Sequence, residues 1–206
     1  MRYPRFREMF GDYPVFSPEE VRAVDPAFDR RRLNEWQQKG YIRKLIRGYY
    51  VFSNRPANEL SLFEIANRIY RPSYVSLETA LSHYGLIPEA VYAITSVSTR
   101  NTRLFTTFMA QFAYRTVRPG LFFGYRLVRY GGRRCLRIAS PEKAMLDWLY
   151  LNPGIHSKED FAAMRFNPET FSQRVQSPAL FELSEKFANK RLGRRLRLLC
   201  KVMENA

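Results

Sequence analysis

Three consecutive arginines, Arg30, Arg31 and Arg32, stand just ahead of Leu33 and Trp36, and Asn34 and Gln38 follow at helical spacing. Arginine grips guanine bidentately, and asparagine or glutamine pairs with adenine, so these residue types on one helix face suit base reading in the major groove. Arg43, Lys44 and Arg47 follow within the segment from Tyr41 to Phe52, where cations would meet phosphates or enter the minor groove. No acidic residue lies between Glu35 and Glu59. An arginine run on a short helix is often only a solvated face. Here a basic helix and a basic hairpin follow one another within about 50 residues, and that order favours double-stranded DNA as the partner.

Other chemistries find less support. There is no G-x-S-x-G elbow and no glycine-rich phosphate loop. Cys135 and Cys200 lack C-x-x-C spacing, and only His83 and His156 could join them in a metal site, so no metal or other cofactor is expected. Glu78, Glu142 and Asp147 could meet and hold magnesium as a nuclease requires, but Glu78 and Glu142 are equally suited to first helical turns, where a carboxylate favours the helix dipole. The expectation is that the chain is not an enzyme.

The elements that would position the basic residues are legible. Ser17-Pro18-Glu19-Glu20 joins an N-cap hydroxyl, a proline at the first helical position and a capping-box glutamate, and Phe16 and Val21 can form a hydrophobic staple. That helix should end near Val24, before Asp25-Pro26. A second is expected from about Pro26 or Asp29 to Lys39, stopped by Gly40, with Arg31 and Gln38 opposite Leu33 and Trp36. Tyr41 to Phe52 is rich in β-branched and aromatic residues and reads as a hairpin turning at Arg47-Gly48. With a first helix at about Tyr3 to Phe10, the order is that of a winged helix-turn-helix.

The polar, proline-containing stretch Ser53 to Asn58 reads as a seam, giving a DNA-binding domain over 1–55 and an α+β domain over 56–206. In the latter, Leu60 to Tyr70 is an amphipathic helix, Ser76 caps a helix ending near Gly85, and strand-like runs fall at 93–98, 112–117, 122–130 and 135–138. Ser140-Pro141 restarts helix, and two or three more helices should follow. The expected fold class is α+β, with an antiparallel sheet flanked by helices.

The chain has 34 Lys and Arg against 19 Asp and Glu, a formal +15, which makes a polyanion the first partner to consider. Between Glu89 and Glu142 there are nine arginines and no lysine or acid. Arg100, Arg103, Arg126, Arg129, Arg133 and Arg134 could form a second basic surface for DNA, RNA or an acidic partner, or simply occupy strand positions that face water. The longest run without a charge, Leu104 to Tyr114, is 11 residues. That is short of the roughly 20 a membrane span needs, and the charged start offers no apolar core for a signal peptide, so a cytoplasmic, non-membrane protein is expected.

Two longer stretches carry a family resemblance: Arg71-Pro72-Ser73-Tyr74-Val75-Ser76-Leu77-Glu78-Thr79-Ala80-Leu81-Ser82-His83-Tyr84-Gly85-Leu86-Ile87, and Ile138-Ala139-Ser140-Pro141-Glu142-Lys143-Ala144-Met145-Leu146-Asp147. With Phe16 to Val21, Leu33 to Gly40 and Ile42 to Tyr50, they make the chain resemble the AbiEi-type antitoxins and transcriptional regulators of abortive-infection toxin-antitoxin systems. The resemblance implies a repressor of its own operon that also counters a cognate nucleotidyltransferase-like toxin through its second domain, without a stable complex. The chain departs from that family in its longer Asp25 to Asp29 connection, which bears on the register of the recognition helix. The alternatives are a ligand- or partner-responsive winged-helix transcription factor without an antitoxin role and, third, a metal-dependent nucleic-acid enzyme.

Overall fold

The computed structural model describes residues 1–88, 92–132 and 134–205. The chain opens with three short helices, α1 (Tyr3–Phe10), α2 (Pro18–Val24) and α3 (Arg31–Gln38). Their common core is aromatic. The Phe6 ring lies 4.5 Å from Trp36, 5.0 Å from Phe16, 5.3 Å from Phe10 and 5.4 Å from Phe52, centroid to centroid. The Ser17 hydroxyl accepts from the Glu20 amide and the Glu20 carboxylate accepts from the Ser17 amide, closing the capping box. Phe16 and Val21 are both fully buried in the same cluster.

A two-stranded antiparallel hairpin follows, β1 (Ile42–Ile46) and β2 (Tyr49–Phe52), turning at Arg47-Gly48, where Gly48 takes φ +84°. Opposed residues of an antiparallel pair share a face. Ile42 with Phe52 and Tyr50 closes the aromatic cluster, whereas Val51, Leu45 and Val15 join the larger cluster built by the rest of the chain. The hairpin is therefore buried on both sides. Further ties cross the same junction: Arg68 Nη2 donates to Glu20 Oε1 at 2.5 Å, and Arg55 Nη1 donates to the Gly11 carbonyl.

The remainder is built on a six-stranded sheet of β3 (Ser73–Val75), β4 (Ala93–Ser98), β5 (Arg103–Thr106), β6 (Gln111–Thr116), β7 (Tyr125–Arg129) and β8 (Cys135–Ala139), in the order β5-β6-β4-β3-β8-β7. The fold is mixed α+β, but the sheet is not the antiparallel one that the strand pattern suggests. β4 runs parallel to β6, and β3 parallel to β8. The first parallel pair arises because β5 reverses the chain on the outside of β6, so two reversals bring β6 back alongside β4. The second arises because the three-residue β3 sits at the centre, joining the β4 side to the β7–β8 hairpin. Both β3 and β5 escape the strand pattern, β3 for its length and β5 because its residues are largely exposed and do not alternate.

Helices cover both faces. Ser73 and Tyr114 lie on one face and both donate to the Ala66 carbonyl in α4 (Glu59–Ile69). Tyr74 and Arg115 lie on the other and reach Asp147 and the Leu151 carbonyl of α6 (Pro141–Leu151). α5 (Leu77–His83) packs beside α6 and β4. Beyond α6 there are four more helices among the described residues, α7 (Lys158–Ala163), α8 (Pro168–Arg174), α9 (Ser177–Glu185) and α10 (Lys190–Glu204). α6 begins as its sequence indicates, with the Ser140 hydroxyl accepting from the Lys143 amide. Ser76 does not: it holds the N-cap position of α5 but its hydroxyl caps nothing there. No helix among the described residues is long and apolar enough to cross a membrane.

Candidate nucleic-acid interface

α3 starts later than its sequence indicates. Phe28 is buried against Trp36, 5.8 Å between ring centroids, and pins the connection after α2, so the helix begins at Arg31, whose amide donates to Asp29 Oδ1 at 2.9 Å. Arg30 is left as the N-cap residue, outside the helix. At about 100° per residue, Arg31, Asn34 and Gln38 fall on one face and Leu33 and Trp36 on the opposite one. All three are exposed, and their side chains make no hydrogen bond or ion pair with another described residue.

Arg32 and Lys39 are not free in this way. Glu35 takes Arg32 Nη1 at 3.0 Å and Lys39 Nζ at 2.9 Å, and these contacts, Lys39 first, hold its carboxyl below the usual glutamate value while Lys39 is raised. One acid thus damps two cations beside the reading face.

Arg43, Lys44 and Arg47 of the hairpin are all exposed. The Arg43 guanidinium also lies 3.5 Å from the centroid of Phe108, in the turn between β5 and β6, on the same hairpin face as Val51.

The second basic surface does not assemble. Arg103 lies on edge strand β5 and Arg126 and Arg129 on the opposite edge strand β7, about 24 Å apart at some 4.8 Å per strand. Arg126 and Arg129 are three residues apart and so point to opposite faces. The Arg134 side chain is only 15% exposed, engaged by the Glu64 carboxylate at 3.4 Å and the Tyr130 hydroxyl at 2.5 Å. Arg100 caps the Arg71 carbonyl and lies 4.4 Å from the Tyr70 ring. Arg133 lies outside the described residues.

Several other arginines meet carbonyl oxygen. Arg115 donates to the Leu151 carbonyl at 2.9 Å, Arg118 to Phe187 at 2.9 Å, and Arg195 to Leu149 at 2.8 Å, Asn152 at 2.6 Å and Ile155. The last turn of a helix leaves carbonyls without intrahelical partners, and the five-donor guanidinium fork satisfies several at once. Burial lowers the Arg195 pKa from its ordinary value, opposed by the nearby charge of Asp160.

The two family-like motifs are joined in the core. Asp147 Oδ2 accepts from Tyr74 at 2.8 Å and from Ser76 at 2.9 Å, Lys143 Nζ donates to Tyr74 at 3.0 Å, and Lys143 also pairs with Asp147 Oδ1. All four residues are fully buried. Burial pushes the Lys143 ammonium down and the Asp147 carboxyl up, each opposed by its partner. Glu142 accepts the Gln176 amide, and no three His, Cys, Asp or Glu side chains among the described residues are grouped to hold a metal.

No protein-family model matches the chain, and no curated protein matches it. Among solved structures it is similar to the RV2827C protein from Mycobacterium tuberculosis, at 15% identity and a TM-score of 0.48, over 96% of this chain and 80% of that one.

Proposed function

We propose that the three helices and hairpin form a winged helix-turn-helix that reads double-stranded DNA, with α3 in the major groove and the hairpin tip on the backbone. Arg31, Asn34 and Gln38 are the base-reading residues, and Arg30, Lys44 and Arg47 contact phosphates. The observation that carries this reading is the α3 face itself: three polar side chains of base-reading type, exposed and unengaged, directly opposite the buried Leu33 and Trp36. The protein is read as a cytoplasmic repressor of its own operon and as the antitoxin to a nucleotidyltransferase-like toxin. The antitoxin part rests on the resemblance in residues 71–87 and 138–147, and it assigns no surface residue, because the polar members that meet there are buried.

Fluorescence anisotropy with DNA from upstream of the gene and a shuffled duplex, across a salt series, tests the DNA reading. Arg31→Ala is expected to cost about 1–3 kcal/mol on the specific site and little on the shuffled one, whereas Lys44→Ala weakens both and lowers the salt slope by about 1. Equal losses for Arg31→Ala on both duplexes reject base reading. For the antitoxin role, the full-length Arg31→Ala/Arg47→Ala protein should still rescue cells expressing the neighbouring toxin. Loss of rescue makes the effect transcriptional.

A further inference from the structure

The last helix carries charges that its packing does not use. At about 100° per residue, Lys190, Arg194, Arg197 and Lys201 of α10 fall within about 60° of one another, with Arg191 beside them. Leu192, Leu196, Leu199 and Met203 occupy the opposite side of the helix and are buried. All five cations are exposed, and none of their side chains makes a hydrogen bond, ion pair or ring contact with another described residue. Arg195, on the flank, is instead held by the carbonyls of Leu149, Asn152 and Ile155.

The pattern works against the helix itself. Lys190 and Arg191 stand in the first turn, where the macrodipole favours acids, and no acid is there. Lys190 with Arg194, and Arg197 with Lys201, are like charges four residues apart, which repel. A groove of about 600 Å³ borders the N-terminal half of the stripe; His156, Arg191 and Arg194 line it, and no acid does. Asp160, close to His156, already accepts from the His156 and Ser157 amides. A polyanion laid along α10 relieves both costs, and the residue types narrow its identity. A helix that lies on a membrane turns its apolar side to the lipid, whereas that of α10 is buried in the core. Protein interfaces centre on apolar and aromatic residues, and single strands need aromatic platforms; the outer face of α10 has neither. Duplex RNA is distinguished by its 2′-hydroxyls, and the stripe holds no uncharged polar side chain to meet them. Duplex DNA fits: the stripe is about 16 Å long, over which one DNA strand carries about five phosphates.

We propose that the outer face of α10 is a second, sequence-independent site for duplex DNA, with Lys190, Arg191, Arg194, Arg197 and Lys201 on backbone phosphates. It is remote from α3. α10 packs on α6 and α7, on the side of the sheet that α6 covers, whereas Arg68 and Glu20 tie the N-terminal helices to α4 on the other side. A straight duplex against α3 therefore does not also lie along α10, and the two sites together join separate duplex segments. The α10 site does not depend on α3 reading DNA; only the joining does.

The test is fluorescence anisotropy with a shuffled duplex across a salt series, using the full-length protein with Arg31→Ala/Lys44→Ala/Arg47→Ala to silence α3 and the hairpin tip. This background protein should still bind. Adding Arg194→Gln/Arg197→Gln/Lys201→Gln should weaken that binding about tenfold or more at low salt and lower the salt slope by about 2–3, at about 0.9 for each phosphate contact. Adding Arg126→Gln/Arg129→Gln/Arg174→Gln instead removes the same charge from other exposed positions and should leave the slope unchanged. Absence of binding by the background protein, no loss in the α10 set, or equal losses in the two sets overturns the proposal. So does α10-dependent binding that is at least as tight to a duplex RNA of the same length or to vesicles containing phosphatidylserine. If α3 reads no DNA, the background substitutions change nothing and the loss in the α10 set is still seen. The α10 substitutions are at exposed positions and remove like-charge repulsion, so the melting temperature should not fall.

Discussion

Replacing Asp147 by asparagine removes the negative member of a fully buried group while keeping its shape. The asparagine side chain is near-isosteric and retains an oxygen for Tyr74 and Ser76, but it cannot balance the Lys143 ammonium, which is 0% exposed and has no other acid within reach among the described residues. Breaking a buried ion pair by removing one partner costs about 3–5 kcal/mol. At about 2–4 °C per kcal/mol for a chain of this size, the melting temperature should fall by about 6–20 °C. Thermal and urea unfolding of the wild type, Asp147→Asn and Lys143→Met/Asp147→Leu measure it. The double variant should recover much of the loss, since an apolar pair of similar volume leaves no buried charge. The deficit of Asp147→Asn should also shrink as pH rises. Burial already depresses Lys143 in the folded state, and losing Asp147 depresses it further. Between that lowered value and the ordinary lysine value the unfolded chain binds more protons, so stability rises with pH. A loss under about 1 kcal/mol, or a double variant no better than the single one, refutes the charge-pair account.

Two further outcomes follow from the same geometry. Glu35→Gln releases Arg32 and Lys39 from their shared partner, so binding to shuffled DNA should tighten at low salt and its salt slope steepen by about 1; an unchanged slope means those two cations never approach phosphate. Gly124→Ala should cost about 2–4 kcal/mol, because φ is +72° and the added Cβ would stand 2.9 Å from Lys143 Cγ. Gly132→Ala, at φ +74° with open space, should cost only about 1–2 kcal/mol. Similar unfolding free energies for the two variants would show that the Lys143 contact contributes nothing.

Local signals in the chain are strong where one short segment carries the whole reason for its structure. The capping box at Ser17 and Glu20, the hairpin turn at Arg47-Gly48, and the proline start of α6 each satisfy or fix backbone groups within four residues, and each is present. The face of α3 is legible for the same reason, since Leu33 and Trp36 set which way the helix must turn. Its start is not, because it depends on Phe28 finding Trp36 across the core. Sheet topology was beyond local pattern altogether: β3 has three residues, and its place at the centre follows from partners more than 20 residues away in β4 and more than 60 away in β8.

Charge divides in the same way. Composition by itself determined that the chain is strongly basic and that a stretch of it contains arginine without acid. Only the tertiary structure decided what those arginines face. A guanidinium has five donors, and a folded chain offers it helix-end carbonyls and aromatic rings as readily as a polyanion does. Arg115, Arg118 and Arg195 cap carbonyls, Arg43 covers Phe108, Arg134 is held by Glu64, and Arg31 is left on the outside with nothing of its own to bind. Which partner each arginine meets is set by contacts between residues far apart in the chain, and no spacing within the sequence encodes them.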